Sequence, residues 1–532
     1  MEIRSRLQEA LRVNRLGVLY FFSLEGGSIG VFMAYLVSIQ EKLNLNDNDL
    51  GTSVFCFYLG EMIGTPAVAA ALRGLGVKRS TYGGSLIFSS MLVIVSFADS
   101  YLSLCLLFLL FGLAECALDV SMNALAVLVE VVAGYPICGS FHGSYSVSAA
   151  VGGAIGGVLV ASGYIQLHVM AVLGAFTFMI SSFFGIAMYT REDELYIEQR
   201  QRVFSNEDIE DVRSTPTSSI DDRVAGIGDM DTSGHHVDDV AYNYLQENDV
   251  DSGKSRGVSM HDVTKSEEQS EKRGPNSISG VGDYRNTAKE SNRELSPSWL
   301  ELLMLPNSAD MAALAALSFL ASFGESALTT WIIFFFQREF DVGDSGALTT
   351  LGFSLFEVFM GLGRYLVDTL RARMGSNRMV FYEGCCTMLG MTLIVSSPSM
   401  GSKLDSASLP FVVACLGCSL TGFGLSTLIP ISYISAGYCE GHGPTNISIV
   451  ATWAGAGCIA SSPIVGGLST ALGSLRLSLV FLAISLAPMC CLAGFLPRDR
   501  YTLDAEGNAS KNKRKGVTMK KSDEALAEPL II

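Results

Sequence analysis

Twelve stretches of this chain are apolar for about the 20 residues that a helix needs to cross a hydrocarbon core, and a polar interval divides them six and six. They fall near 16–38, 50–72, 81–98, 101–128, 139–163 and 166–189, then 309–336, 345–367, 378–398, 409–433, 445–470 and 475–496. Such segments have few options. In lipid every backbone N–H and C=O must be satisfied internally, so each is expected to be a helix. The composition agrees: only 17% of the 532 residues are charged, against about 25% in a soluble protein. The expected fold class is an all-α membrane protein with twelve transmembrane helices in two pseudo-symmetric six-helix bundles. Its parts are residues 1–15, a first bundle 16–189, a linker 190–299, a second bundle 300–496 and a basic tail 497–532.

The net charge of −16 does not describe the spans. Between Thr190 and Trp299 there are 24 acidic and 13 basic residues, so that interval alone carries −11. It is rich in Ser, Asp, Glu, Asn and Gly and cannot bury enough apolar surface to offset its ordering entropy, so disorder is expected there. At its end Ser296 or Ser298 could cap a short helix with Glu301 near its third position. Basic residues in the short loops set orientation. Arg4, Arg6, Arg12 and Arg15 precede the first span; Lys78 and Arg79 follow the second; Arg371 and Arg373 follow the eighth. Both termini and the linker are therefore assigned to the cytosol, in the plasma membrane or an internal one. Cys415 and Cys418 form a CxxC inside an apolar run with no second pair, which reads as buried packing rather than a metal site. No nucleophile–base pair suggests an enzyme, no cofactor is expected, and no basic–aromatic patch suggests nucleic acid.

Chemistry in such a chain must come from the polar residues that the apolar segments retain. Glu115, Asp119 and Asn123 recur every four residues within the stretch Tyr101 to Val129, which keeps all three on one helix face. Carboxylates at membrane depth are expensive and are normally kept where they face a bundle interior or a water path. Glu25, Glu61, Glu325 and Glu357 stand near the centres of four other spans. LEGGSIGVFMAYL in the first span echoes GESALTTWIIFFF in the seventh, and Glu61 and Glu357 repeat the match in the second and eighth. That suggests two-fold related halves with a site between them near the midplane. Only His142 and Arg364, both placed near helix ends, are available as basic partners. Burial and like-charge repulsion favour the neutral form of a carboxyl, so several of these acids are expected to carry or share protons. Glu61 and Glu357 could equally serve helix contacts. Trp331 offers either a stacking face or packing. The GGAIGG run (152–157) is read as close helix packing.

These residues resemble the Major Facilitator Superfamily, and its fucose-permease-like branch in particular. GLAECALDVSMNALAVLVE (112–130) is similar to that branch's fourth span, and FHGSYSVSAAVGGAIGG (141–157) to its fifth. GESALTTW (324–331) and GLGRYLVDTLRARMGSNR (361–378) look like its seventh and eighth spans. GFGLSTLIPISYISAG (422–437) and SSPIVGGL (461–468) fit the tenth and eleventh. The match departs from the superfamily pattern at LRGLGVKR (72–79), where Arg73 stands near an acidic position, at Thr330, and at YLVSIQ (35–40).

The resemblance implies a secondary carrier with alternating access and a sugar-like solute. It also implies a coupled pair of acids on the first and fourth spans: Glu25 with Glu115 or Asp119. The expected substrate or coupling residues are Glu25, Glu115, Asp119, Asn123, Glu325, Trp331 and His142. The expected gating residues are Arg364, paired with Asp368, and Arg371, Arg373, Lys78 and Arg79 in the basic loops. Partners are a small polar solute, protons and the bilayer, with the chain a monomer. The residues themselves leave alternatives open. Sugar sites usually recruit amides, and within the spans only Asn123 and Asn446 supply them. Unpaired acids suit a cationic or amine solute exported against protons, and a nutrient sensor signalling through the linker is a third reading.

Overall fold

The computed structural model describes residues 2–133, 137–187, 308–340, 346–400, 408–437, 439, 443–496, 501–503 and 509–511. The linker, the short helix expected from Ser296 and most of the basic tail lie outside the described residues.

The first half is α1 (Glu2–Lys42), α2 (Asp47–Leu75), α3 (Val77–Ile94), α4 (Tyr101–Ala133), α5 (Cys138–Ala161) and α6 (Gln166–Ala187). The second half is α7 (Ala309–Glu339), α8 (Leu351–Met374), α9 (Ser376–Ser396), α10 (Ser408–Gly437), α11 (Gly443–Leu472) and α12 (Leu475–Phe495). Among the described residues, eleven helices are long and apolar enough to cross a membrane. The twelfth is α8, where Glu357, Arg364 and Asp368 interrupt the apolar run. It is still 24 residues long and packs against α5 and α10.

Local chemistry sets the helix ends. The Asn46 side chain caps α2 by accepting from the Asp49 N–H at 2.9 Å, and Ser308 caps α7 through the Met311 N–H. Gly76 and Gly375 stand at matching turns after α2 and α8 with φ of 83° and 78°, a region that side chains rarely adopt. α10 breaks at Ser426–Thr427, because Pro430 has no N–H and its ring displaces the carbonyl four residues earlier. Pro488 interrupts α12 in the same way. One departure from the all-helical expectation lies in the tail. Tyr501–Leu503 and Ala509–Lys511 pair as a short antiparallel ribbon.

Within the first half α1 packs on α5, α2 on α4, and α3 on α4 and α6; within the second, α7 packs on α11, and α10 on α8 and α9. The halves meet along α5–α8 and α2–α11. Without a hydrophobic drive in lipid, small residues that allow close backbone approach hold helices together. A Cβ on Gly112 of α4 would overlap the Phe57 carbonyl of α2, and one on Gly30 of α1 the Ala149 carbonyl of α5. The GGAIGG run lies against α1 in the same manner, Gly152 on Gly27 and Gly156 on Val31. We expect Gly112→Leu to lower the melting midpoint and folded yield in detergent, since overpacking costs about 1–3 kcal/mol. An unchanged melting curve would contradict the α2–α4 crossing.

Candidate functional site

Four acids converge inside the first half. Glu25 of α1, Glu61 of α2, and Glu115 and Asp119 of α4 are mutual electrostatic neighbours. Glu25 is 1% exposed, and its Oε1 has no hydrogen-bond partner, as Oε2 of Glu115 has none. Glu61, Glu115 and Asp119 are half-buried although they sit mid-helix. The ladder on α4 divides. Asn123 donates to the Asp119 carboxylate at 2.8 Å and to its carbonyl at 2.9 Å, leaving Glu115 as the open rung. No Lys or Arg lies between Leu16 and Glu41 of α1 or in the middle of α2–α6; Lys42 and Arg73 stand in the last turns of α1 and α2.

The second half is different. Arg364 lies in the middle of α8, not at its end as the sequence reading has it. Its Nη2 pairs with Glu325 of α7 at 2.7 Å, and its Nη1 donates to Ser146 of α5 at 3.0 Å, so one guanidinium joins both halves. The expected Arg364–Asp368 pair falls on a side chain, Asp368, that lies outside the described residues. Glu357, one face of α8 further up, is 4% exposed, has Arg364 and Glu325 as charged neighbours, and keeps an unpartnered Oε2.

Tyrosines connect the two sets of acids, and the sequence reading missed them. Tyr145 of α5 faces Glu25, Glu115, Glu357 and Tyr58. Tyr58 of α2 faces Ser326 and Cys458 of the other half, and Tyr433 of α10 faces Cys458, Asp119 and Glu325. A tyrosine in an apolar run carries no spacing signal, which is why none stood out. Glu383 of α9 was missed too. It is 3% exposed and accepts from Thr427 at 2.5 and 2.6 Å, pinning the break in α10 away from the central acids.

The remaining expected residues are dispersed. His142 sets its ring edge-on to Phe22 at 5.0 Å and lies near Arg364. Trp331 is wholly buried, packed on Phe334 and Gly466, with its indole N–H unpartnered. Lys78 and Arg79 occupy the first turn of α3, and Arg371 and Arg373 the last turn of α8. All four stand at the face from which α1 enters, the near face. Arg371 donates to Ser376 at 3.0 Å.

The charged contact between halves lies at the opposite, far face. Arg338 of α7 holds Asp47 of α2 through two bonds of 2.7 Å and donates to Gln40 at 3.2 Å. Ser469 of α11 donates to the same carboxylate at 2.5 Å, Gln337 to Glu41 at 3.1 Å, and the Asn48 N–H to Thr470 at 3.0 Å. Charges at span ends are ordinary, so nothing in the sequence marks this clasp. Backbone crossings support it: Gly51 lies on Ser462, Gly466 on Asp47 and Gly157 on Gly346. Among the described residues, no three acids, histidines or cysteines converge closely enough to hold a metal ion.

Two six-helix halves around a shared polar interior define a multi-pass integral membrane protein. The model of the Major Facilitator Superfamily matches residues 17–442, and the chain belongs to that superfamily. It is similar to membrane protein MosC of Rhizobium meliloti, at 26% identity over 185 residues, which is 35% of this chain and 42% of that protein. It is also similar to an uncharacterised MFS-type transporter of Yersinia pestis, at 25% over 126 residues, 24% of this chain and 33% of that one. The chain thus spans less than half the length of these curated relatives. Two structures of the nucleoside transporter NupG share its fold. One, a point mutant, has a TM-score of 0.55 at 12% identity and covers 92% of this chain and 100% of that one. The other has a TM-score of 0.52 at 11% identity, covering 91% and 98%.

Proposed function

We propose that this chain is a proton-coupled secondary carrier that moves a small polar solute by alternating access between its two halves. The observation that carries the reading is the set of Glu25, Glu61, Glu115 and Asp119, four acids in one membrane interior with no Lys or Arg at the centre of any span of that half. A carboxyl without a partner in such a setting is stable only when protonated or beside a cation. Opening the site to one side and then the other would let its protons follow the gradient. With the near face assigned to the cytosol by its basic loops, the clasp of Arg338 and Asp47 closes the outward side, and the solute would enter or leave from within. The resemblance to the fucose-permease-like branch points to a sugar-like solute, and the chain is taken as a monomer.

The test is uptake into proteoliposomes from a panel of labelled sugars, polyols and amines, with and without a pH gradient. Glu115→Gln should reduce gradient-driven uptake about tenfold or more while leaving gradient-independent exchange of the same solute measurable. Unchanged gradient-driven uptake in that variant would end the coupling assignment. Deleting residues 200–290 should leave transport within about twofold, because every residue of the proposed site lies in the two helical halves; the sensor reading expects function to be lost.

A further inference from the structure

We propose that the central site takes an organic cation, an amine or quaternary ammonium with an apolar or aromatic body, and exchanges it for protons. This rests on the carrier reading above and puts an organic cation in place of its sugar-like solute. The argument is a census of unmatched groups. On the acceptor side, Glu25 and Glu115 of the first half and Glu357 of the second each keep a buried carboxyl oxygen with no partner. Glu25 and Glu357 are 1% and 4% exposed, come from different halves, and are both electrostatic neighbours of the Tyr145 hydroxyl. The amide and the guanidinium nearest these acids are already engaged. The Asn123 amide is committed to Asp119, and the Arg364 guanidinium to Glu325 and Ser146.

What Glu25 and Glu115 lack is positive charge, since Asp119 and Glu61 are their charged neighbours, so the site is short of a cation. A ligand cation would complete it in two ways: by pairing with unpartnered carboxylates, and by resting on the Tyr145 and Tyr58 rings, whose faces attract cations. A metal ion fits poorly, since no three such ligands converge among the described residues. Proton exchange follows from the same groups. Glu25 is faced by Glu61 from α2, by Glu115, Cys116 and Asp119 from α4, and by Tyr145 from α5. None of these is a base that could neutralise it, so a proton and the ligand cation compete for the same carboxyls. One leaves as the other binds, and charge at the site is conserved.

The experiment uses the full chain, purified and reconstituted with the vesicle interior acidic, and two labelled probes: trimethylphenylammonium, whose fixed charge prevents passive crossing, and L-fucose. The expected result is accumulation of the ammonium about tenfold above protein-free vesicles, abolished by collapsing the pH gradient. Glu25→Gln and Glu115→Gln should each reduce it about tenfold, as expected when a buried charge loses its partner, while the variants elute and melt as folded protein. A parallel binding arm reads the shift in melting midpoint on adding each probe to detergent-solubilised protein. Fucose transport and stabilisation with no response to the ammonium would overturn the cation assignment and leave the carrier reading standing. Ammonium stabilisation lost in both variants, without transport, would support the cation site and overturn the carrier reading. No response to either probe in either arm would overturn both.

Discussion

Arg364→Gln is expected to reduce transport by about 100-fold or more and to lower the melting midpoint, the largest single-residue effect in the protein. The guanidinium neutralises Glu325 at 2.7 Å, lies beside Glu357 and donates across to Ser146. Removing one member of a buried ion pair costs about 3–5 kcal/mol, because the surviving charge keeps its desolvation penalty without its partner. At about 1.4 kcal/mol per tenfold, that amounts to two to three decades in whichever equilibrium needs the pair intact. Arg364→Lys should recover little, since one ammonium cannot span Glu325 and Ser146 as the planar fork does. The double variant Arg364→Gln with Glu325→Gln separates two roles. Recovery of both melting midpoint and uptake would mean that Arg364 only neutralises its acid. Recovery of the midpoint alone would make it part of the path the solute takes. A single variant that melts and transports like the wild type would remove the pair from the account.

The fold was legible because lipid leaves a chain so few choices. Segments of spanning length had to be helices, and all twelve are, although α8 was read as ending at residue 367 and extends to Met374. The α10 break could have been read from Pro430, since the physics of that residue is local. The site was half legible. The four-residue spacing of Glu115, Asp119 and Asn123 announces a polar face, and the absence of Lys and Arg from the span centres of the first half can be counted directly. Which acid receives the one interior arginine could not be counted. Glu325 and Arg364 lie 39 residues apart on different helices, and their meeting depends on how α7 and α8 rotate about their axes. The same holds for the tyrosines and for the far-face clasp, whose residues come from α1, α2, α7 and α11. The pseudo-two-fold echo of Glu25 with Glu325 and Glu61 with Glu357 even misleads. Equivalent positions acquire opposite electrostatics, one pair of acids beside a guanidinium and the other beside more acids.

Gly157→Leu is expected to open the far face and to stop transport while each half stays folded. α5 meets the helical turn Gly346–Thr349, just before α8, backbone against backbone. A Cβ on Gly157 would overlap the Gly346 carbonyl and the Thr350 hydroxyl, and one on Gly346 would overlap the Gly157 carbonyl. A leucine there cannot be absorbed by a flexible neighbour, and the strain of about 1–3 kcal/mol or more falls on the closed arrangement alone, because parting the halves at that end relieves it. The Arg338–Asp47 pair is the weaker restraint. Arg338 is a third exposed, and ion pairs of that kind contribute about 1 kcal/mol or less, so Asp47→Asn alone should shift the balance only about fivefold. Together the two changes come to about 2–4 kcal/mol, short of the roughly 5.5 kcal/mol that would carry a conformer from one extreme to the other. Cys458 provides the readout, since it is half-buried in the interior beside Tyr58. With the other eleven of the twelve cysteines replaced, a membrane-impermeant thiol reagent added at the far face should label Cys458 about tenfold faster in Gly157→Leu, and less than that in Asp47→Asn. Equal labelling rates in a folded Gly157→Leu protein would show that the glycine crossing does not hold the far face shut. The reverse ranking would assign closure to the ion pair, and steric fit between backbones would no longer be what closes one end of this carrier.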